Sequence, residues 1–386
     1  MTKQVMVVYG GVSPEHEVSI ISALQTMRAL KGEGYGVVPV YISKEGEWYL
    51  GGENYLNFEL YKSLDKVKAL GRRVLLPVNG SGGLIEKRWF GFSTLSKQID
   101  VVFPVFHGSN GEDGTIQGLL ELANVPYVFS GVLGSSAGMD KYVTKRVAES
   151  LGIRVAGDLL ITRKEWEGKK SDIISRKIKY PLFVKPVNLG STIGITRVEK
   201  ASGLEDAIEV AFHYDERVMV EEGIDLKLEV NISVLGNGPY EVSITEQPVA
   251  KDKLLSFKDK YIVSSSGKTR GMASAKRMIP AEISKEQKTI IEDWSRKIFR
   301  AINGKGLARV DFIIDKQGKI YFNEINTIPG SLSFYLWERS KYPFGKLVKK
   351  LVELAEESWQ EKQKRVTVFE SSILAGLGSL GVKGKA

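Results

Sequence analysis

The 386-residue chain has no cysteine, only three histidines, and no apolar run of the ~18–20 residues that a membrane-spanning helix requires. Without thiols there can be no disulfide, no zinc–thiolate centre and no thiol nucleophile. His16, His107 and His213 are too scattered for a histidine metal centre, and with no G-x-S-x-G elbow or Ser/His/Asp spacing a serine hydrolase is disfavoured. Zinc-finger and RNA-recognition signatures are missing, as are internal repeats. The formal charge of +9 is spread along the whole length, so it reads as a solvated basic surface that favours anionic small substrates over nucleic acid. Met1-Thr2-Lys3-Gln4 leads directly into the apolar Val5-Met6-Val7-Val8-Tyr9, with neither the apolar core nor the cleavage site of a secretory signal. The expectation is a cytoplasmic protein without membrane attachment.

What is present describes a packed globular chain, 42% hydrophobic and 26% charged, and too long for one core, which predicts two or three domains. Up to about residue 139 strands and helices alternate: strand 5–9, helix 18–30, strand 37–41, strand 99–106 and helix 115–123. This predicts an α/β fold with an open parallel sheet carrying helices on both faces. Ligands in such sheets sit at strand carboxyl ends, where the Gly-rich loops 10–17 and 107–114 fall. A helix then precedes strands 180–186 and 193–198. A third region holds strands 217–221, 228–235 and 241–246, and a loop over 248–280 long enough to act as a lid. Next comes a helix marked by a Ser284–Gln287 capping box, with Ile290, Ile291, Trp294, Ile298 and Ile302 at helical spacing. A hairpin over 307–314 and 319–326, a helix over 344–359 and a loose tail complete the chain. The expected division is 1–138, 139–216, 217–365 and a tail over 366–386.

The densest chemistry lies in the hairpin. Residues two apart on a strand share a face, so Glu324 and Asn326 point together. A tight turn at Lys316-Gln317 pairs Arg309 with Glu324 and Asp311 with Phe322, adding Arg309 and Asp311 to that face; a turn one residue longer would reverse it. Two carboxylates and an amide among apolar neighbours (Val310, Phe312, Ile320, Phe322) form an all-oxygen site suited to magnesium, whose charge relieves the cost of burying carboxylates. A polar sheet face with an Arg–Glu pair is the bland alternative. Between two strands, Asn188-Leu189-Gly190-Ser191-Thr192 can turn backbone N–H groups toward a phosphate, with Lys185 supplying charge. It matches neither the P-loop nor the dinucleotide-binding pattern. Lys141 alone reads as a surface lysine. His16 and His107, both in Gly-rich loops, are read as hydrogen-bonding to a bound anion.

Together these stretches resemble the D-alanine–D-alanine ligase family, a branch of the ATP-grasp enzymes. The matching motifs, in order, are Gly10-Gly11-Val12-Ser13-Pro14-Glu15-His16-Glu17-Val18-Ser19, Phe103-Pro104-Val105-Phe106-His107-Gly108, Gly111-Glu112-Asp113-Gly114-Thr115-Ile116-Gln117-Gly118 and Met139-Asp140-Lys141. Phe183-Val184-Lys185-Pro186 with its Gly190-Ser191-Thr192 loop, Val220-Glu221-Glu222-Gly223, residues 308–312 and residues 323–330 continue the series. The resemblance runs from about residue 1 to 361. It implies an N-terminal open parallel α/β domain followed by a two-lobed ATP-grasp fold, α+β overall, that joins two D-alanines through an acyl phosphate for peptidoglycan precursor synthesis. By position, Lys141, Lys185 and Lys260 would hold phosphates, Glu221, Glu222 and Ile224 would line the adenine, Glu229 would bind ribose, and Asn323 would join the ATP site. Asp311, Glu324 and Asn326 would bind two magnesium ions, which manganese can replace. Glu15, Ser191 and Tyr261 would form the network beside the substrates, with Arg309 facing the reacting oxygens. The substrates would be bound by Glu15, Val18, Ser19, His107, Arg309, Gly330, Tyr335 and Leu336. A homodimer is implied.

Two departures from the family pattern concern the acceptor. Tyr335 stands where the family usually has a serine that contacts the second substrate's carboxylate. The lid segment Leu255-Ser256-Phe257-Lys258-Asp259-Lys260-Tyr261 replaces a more acidic version and is followed by a basic stretch over 268–277. The same fold with D-lactate, D-serine or another amine as acceptor is the alternative; a nucleotide-binding regulator without ligase activity is a further one, disfavoured because every metal ligand and phosphate lysine is present.

Overall fold

The computed structural model describes residues 2–78, 83–95, 99–166, 178–249, 277–368 and 371. Strand β1 (Gln4–Gly10) is buried on both faces from Val5 to Tyr9. It pairs in parallel with β2 (Gly36–Ile42). The alternation of its side chains divides two cores: Val5, Val7 and Tyr9 pack with Ile20, Ala23 and Leu24 of helix α1 (His16–Gly32). Met6 and Val8 pack on the opposite side with residues 116–125. Outward from β2, strands β3 (Trp48–Leu50), β4 (Arg72–Leu75), β5 (Leu84–Lys87) and β6 (Phe92–Leu95) are all antiparallel. Helix α2 (Leu64–Leu70) lies between β3 and β4 in sequence. Strand β7 (Val101–Val105) closes the other flank in parallel with β1. The seven-stranded sheet is therefore parallel only across β2, β1 and β7, and short antiparallel strands occupy the stretch between the expected strands 37–41 and 99–106.

Helices α3 (Thr115–Ala123), α4 (Val132–Met139) and α5 (Lys141–Ser150) lead out of this unit. A second sheet follows: β8 (Asp158–Thr162), β9 (Leu182–Pro186), β10 (Thr196–Val198) and β11 (Arg217–Glu222), ordered β10-β9-β11-β8 and antiparallel throughout. Helix α6 (Arg163–Trp166) follows β8, and α7 (Leu204–Phe212) covers one face of this sheet through Leu204, Ile208 and Ala211.

The third unit begins with β12 (Leu226–Leu235) and β13 (Glu241–Val242), followed by the short pair β14 (Gln247–Pro248) and β15 (Arg277–Met278). Helix α8 (Lys285–Ala301) starts on the expected capping box: the Gln287 N–H donates to Ser284 Oγ and the Ser284 N–H to Gln287 Oε1, both at 3.1 Å. With β16 (Leu307–Asp315) and β17 (Ile320–Asn326) the sheet order is β13-β12-β16-β17. Val230, Ile232 and Val234 point with Ile291, Ile298 and Phe299 into the core, while Glu229 and Asn231 point the other way into a cleft.

Helix α9 (Phe334–Glu338) and helix α10 (Phe344–Gln363) end the described chain, apart from a few residues of the tail. The sequence groups α10 with the C-terminal lobe, yet Leu347, Val348, Leu351 and Val352 share a core with α1 and β1. Its apolar stripe completes the first sheet's cover, so this last helix packs against the first strand and helix of the chain.

Candidate active site

The hairpin of β16 and β17 differs from its expected pairing in two places whose effects cancel. Asp315 and Lys319 close a turn one residue longer than a two-residue turn, setting Ile314 opposite Ile320 and Phe312 opposite Phe322. Taken alone, this would turn Glu324 and Asn326 of β17 to the core. A bulge between Asp311 and Phe312 then leaves Asn323 as an extra residue on β17, so Asp311 lies opposite Glu324 and Arg309 opposite Asn326. The expected partners were two residues out, and a shift of two preserves the face. Arg309, Asp311, Glu324, Asn326 and Asn323 accordingly all line one cleft, facing Lys141, Lys185 and the Gly190-Ser191-Thr192 loop.

On the hairpin the carboxylates of Asp311 and Glu324 are each matched by a cation of the protein. Arg309 donates to Asp311 through Nε at 2.7 Å and Nη2 at 2.6 Å, and Asn326 Nδ2 donates to Asp311 Oδ2 at 3.3 Å. Lys141 Nζ lies 3.6 Å from Glu324 Oε2 and donates to the Leu189 carbonyl at 2.6 Å, so it is no surface lysine. Two carboxylates and an amide form a hard-oxygen set that suits magnesium, an ion that takes its remaining ligands from phosphate and water. The donor set therefore fits the metal.

Opposite the hairpin, Lys185 projects from β9 and pairs with Glu221 of β11. The other oxygen of Glu221 is paired with Lys145, which is wholly buried on α5. Burial, opposed by Glu324 and reinforced by Lys141, lowers Lys185 to about 8. Burial and the neighbouring Lys185 likewise depress Lys145. Sequence reasoning missed Lys145, although it lies four residues after Lys141, on the same side of a helix. Glu222, Ile224 and Glu229 line this cleft with Ala156, Phe183 and Leu226.

The Gly-rich loops supply a third wall. Ser191 donates to Glu15 Oε1 and holds a left-handed backbone (φ 57°), as does Thr192 (φ 64°), a strain typical of functional loops. The loop runs close to this carboxylate: a Cβ at Gly190 would stand 3.0 Å from Glu15 Oε2. Glu112 accepts from the Gly108 N–H at 2.8 Å and the Ile328 N–H at 3.1 Å; burial, then the adjacent Glu15, pushes its carboxyl up to about 8. His107 joins Ser22 Oγ (2.8 Å) and the Ile328 carbonyl (2.9 Å), and burial lowers it to about 4. With both nitrogens engaged, it forms a neutral, fixed part of the wall. Glu112 was read only as part of a motif.

Several expectations do not meet this cleft. His16 is buried between the Gly11 carbonyl and Tyr41, so it braces its own loop and does not face an anion. Ser19 accepts from the Gly10 N–H at 2.8 Å and donates to the Val105 carbonyl, tying β1 to β7. Val18 and Leu336 are buried, and neither they nor Ser19 line the cleft. Their positions follow the apolar sides of their helices, which the motif alone did not resolve. Gly330 and Tyr335 do line it, and Tyr335 donates to Glu246 at 2.8 Å. Lys260 and Tyr261, with most of the expected lid, lie outside the described residues.

Comparisons with known proteins point to one family. The model for the D-ala D-ala ligase N-terminus matches residues 4–130, and that for the D-ala D-ala ligase C-terminus matches residues 147–353. A D-alanine–D-alanine ligase of Geobacillus thermodenitrificans is 37% identical over 96% of this chain and 100% of its own, and one of Bacillus pumilus is 38% identical over 94% and 98%. Among solved structures, the D-alanine-D-alanine ligase from Coxiella burnetii superposes with a TM-score of 0.78 at 30% identity, covering 94% of this chain and 96% of that one. The VanG D-Ala:D-Ser ligase from Enterococcus faecalis gives 0.77 at 32%, covering 92% and 100%.

Proposed function

Because this chain belongs to the D-alanine–D-alanine ligase family, we propose that it joins two D-alanines with ATP, through an acyl phosphate, for peptidoglycan precursor synthesis. The observation that carries the reading is one cleft in which Asp311, Glu324 and Asn326 face Lys141 and Lys185. A carboxylate resists attack because its leaving group would be oxide. A donor carboxylate oxygen attacks the γ-phosphorus, ADP departs, and the acyl carbon gains phosphate as leaving group. The acceptor's neutral amine then adds to that carbon, phosphate leaves, and the amine's proton passes to solvent.

In this scheme Glu15, held by Ser191, takes the donor's ammonium. Lys141 and Lys185 neutralise phosphate oxygens, and Arg309 stabilises the tetrahedral oxyanion. Glu221 and Ile224 hold the adenine and Glu229 the ribose, with Glu222 and Asn323 beside them. His107 and Gly330 shape the substrate pocket. Lys260 and Tyr261 would add a phosphate contact and a substrate contact from the loop that excludes water. Asp311, Glu324 and Asn326 would hold two magnesium ions, or manganese, whose charge neutralises the transferring phosphoryl group. The reading takes the protein as a cytoplasmic homodimer; no helix among the described residues is long and apolar enough to cross a membrane.

A second reading changes only the acceptor. It is favoured by Tyr335 in the acceptor region and by the similarity to a solved D-Ala:D-Ser ligase. Phosphate release with ATP, magnesium and D-alanine tests the first reading, and mass spectrometry of the products from a mixture of D-amino and D-hydroxy acids separates the two. Release that does not depend on D-alanine would count against both. Glu324→Ala should slow turnover by at least ~10²-fold, as loss of one preorganised electrostatic group does. Near-normal turnover at saturating magnesium would remove the metal assignment.

A further inference from the structure

The same cleft holds a second buried ionic cluster. Arg277 of β15 places Nη1 3.1 Å from Glu246 Oε1, with the two side chains only 11% and 5% exposed. The Tyr335 hydroxyl donates to the other oxygen of Glu246 at 2.8 Å. The Arg277 guanidinium lies over the Tyr335 ring, 4.1 Å from its centroid. All three residues line the cleft together with Gly330 and Arg309. Tyr335 lies within electrostatic reach of both Arg277 and Arg309, and Glu246 within reach of Arg309. The cluster therefore adjoins the residue placed at the reacting oxygens.

A buried guanidinium fixed at its edge by a carboxylate and on its face by a ring has lost most of its conformational freedom before any ligand arrives. Its five N–H donors exceed what one carboxylate can accept, so pairing with Glu246 is compatible with binding a second carboxylate. The lysines read as phosphate-binding pair with Glu221 and Glu324, not with Glu246. An amino-acid acceptor brings one anionic group of its own, its carboxylate. Resting on the ligase reading above, we infer that Arg277 is the anchor for the acceptor's carboxylate, oriented by Glu246 and Tyr335, so that the enzyme selects acceptors with a free α-carboxylate over amides and amino alcohols. Glu246 binds no substrate; it sets the guanidinium's direction and balances its charge while the acceptor is absent.

The test uses the full chain with ATP, magnesium, D-alanine as donor, and D-alanine and D-alaninamide as competing acceptors. Mass spectrometry reads the ratio of free dipeptide to dipeptide amide, and positional isotope exchange in ¹⁸O-labelled ATP reads the donor half-reaction separately. Arg277→Gln should keep donor-dependent exchange but lower the preference for the carboxylate acceptor on the order of 10²-fold, mainly through the acceptor's KM, as expected when one partner of a buried charge pair is truncated. Arg277→Lys, which keeps charge and loses the fork, should fall between, and it serves in place of the glutamine variant if that does not fold. Glu246→Gln disturbs the same cluster yet leaves the guanidinium, so the carboxylate acceptor should remain preferred. An unchanged product ratio in both Arg277 variants with exchange intact would overturn the anchor alone. Absence of donor-dependent exchange in the wild type would overturn the ligase reading, and the anchor with it.

Discussion

At the scale of single residues, the cleft is governed by how few charges it leaves uncompensated. Glu221 is shared by two lysines, Asp311 is held by Arg309, and burial beside Glu15 pushes the Glu112 carboxyl up. The last point has a measurable consequence. The Glu112 carboxyl titrates at about 8 in the folded protein, against roughly 4.3 for an unfolded glutamate. Between those values the folded state holds a proton that the unfolded chain has lost, so stability falls as pH rises through this window. The slope reaches about 1.4 kcal/mol per pH unit, and the effect is complete above the folded value. Glu112→Gln removes the titration, so denaturant midpoints should diverge in the variant's favour from about pH 5 to about pH 8, along that slope. A constant difference would mean that the carboxyl is ionised throughout.

At the scale of elements, the β16–β17 hairpin decides whether the acidic residues meet the nucleotide side or the core. The longer turn and the Asn323 bulge each reverse the facing of β17, and only together do they return Glu324 and Asn326 to the cleft with Ile325 in the core. Deleting Asn323 should therefore turn Ile325 outward and bury Glu324. The expected result is loss of measurable D-alanine-dependent phosphate release with a clearly lower melting temperature. A variant retaining normal turnover would show that the bulge does not set the register. The strand pattern and the acidic residues were legible in the sequence, as was the capping box at Ser284, because each depends on near neighbours. The bulge was not, because nothing in Phe322-Asn323-Glu324 differs from ordinary strand.

At the scale of the whole molecule, the cleft is assembled from every unit: Glu15 and His107 from the first, Lys141, Lys185 and Ser191 from the middle, Arg309 and Glu324 from the last. Core packing joins the units at several points, most plainly where α10 returns to cover α1. A ligand that bridges these walls binds the folded state alone. A non-hydrolysable ATP analogue with magnesium, at ~100 times its Kd, should then raise stability by about 2.7 kcal/mol, seen as a concentration-dependent rise in melting temperature. Magnesium without nucleotide should give much less, since the protein supplies only part of the ion's ligands. A melting temperature indifferent to nucleotide would contradict the placement of ATP in this cleft.

The sequence by itself determined the alternation of strands and helices, the acidic hairpin, the Gly-rich loops and the membership of the chain in its family. All of these are encoded by spacing along the chain. Only the tertiary structure decided that Lys145 supports Glu221 from a buried helix face, that His16, Val18, Ser19 and Leu336 belong to the packing, and that Glu246 and Arg277 meet at Tyr335. The physical reason is that burial and the pairing of charges depend on which elements approach one another. Residues 246, 277 and 335 share no local pattern that would announce their meeting.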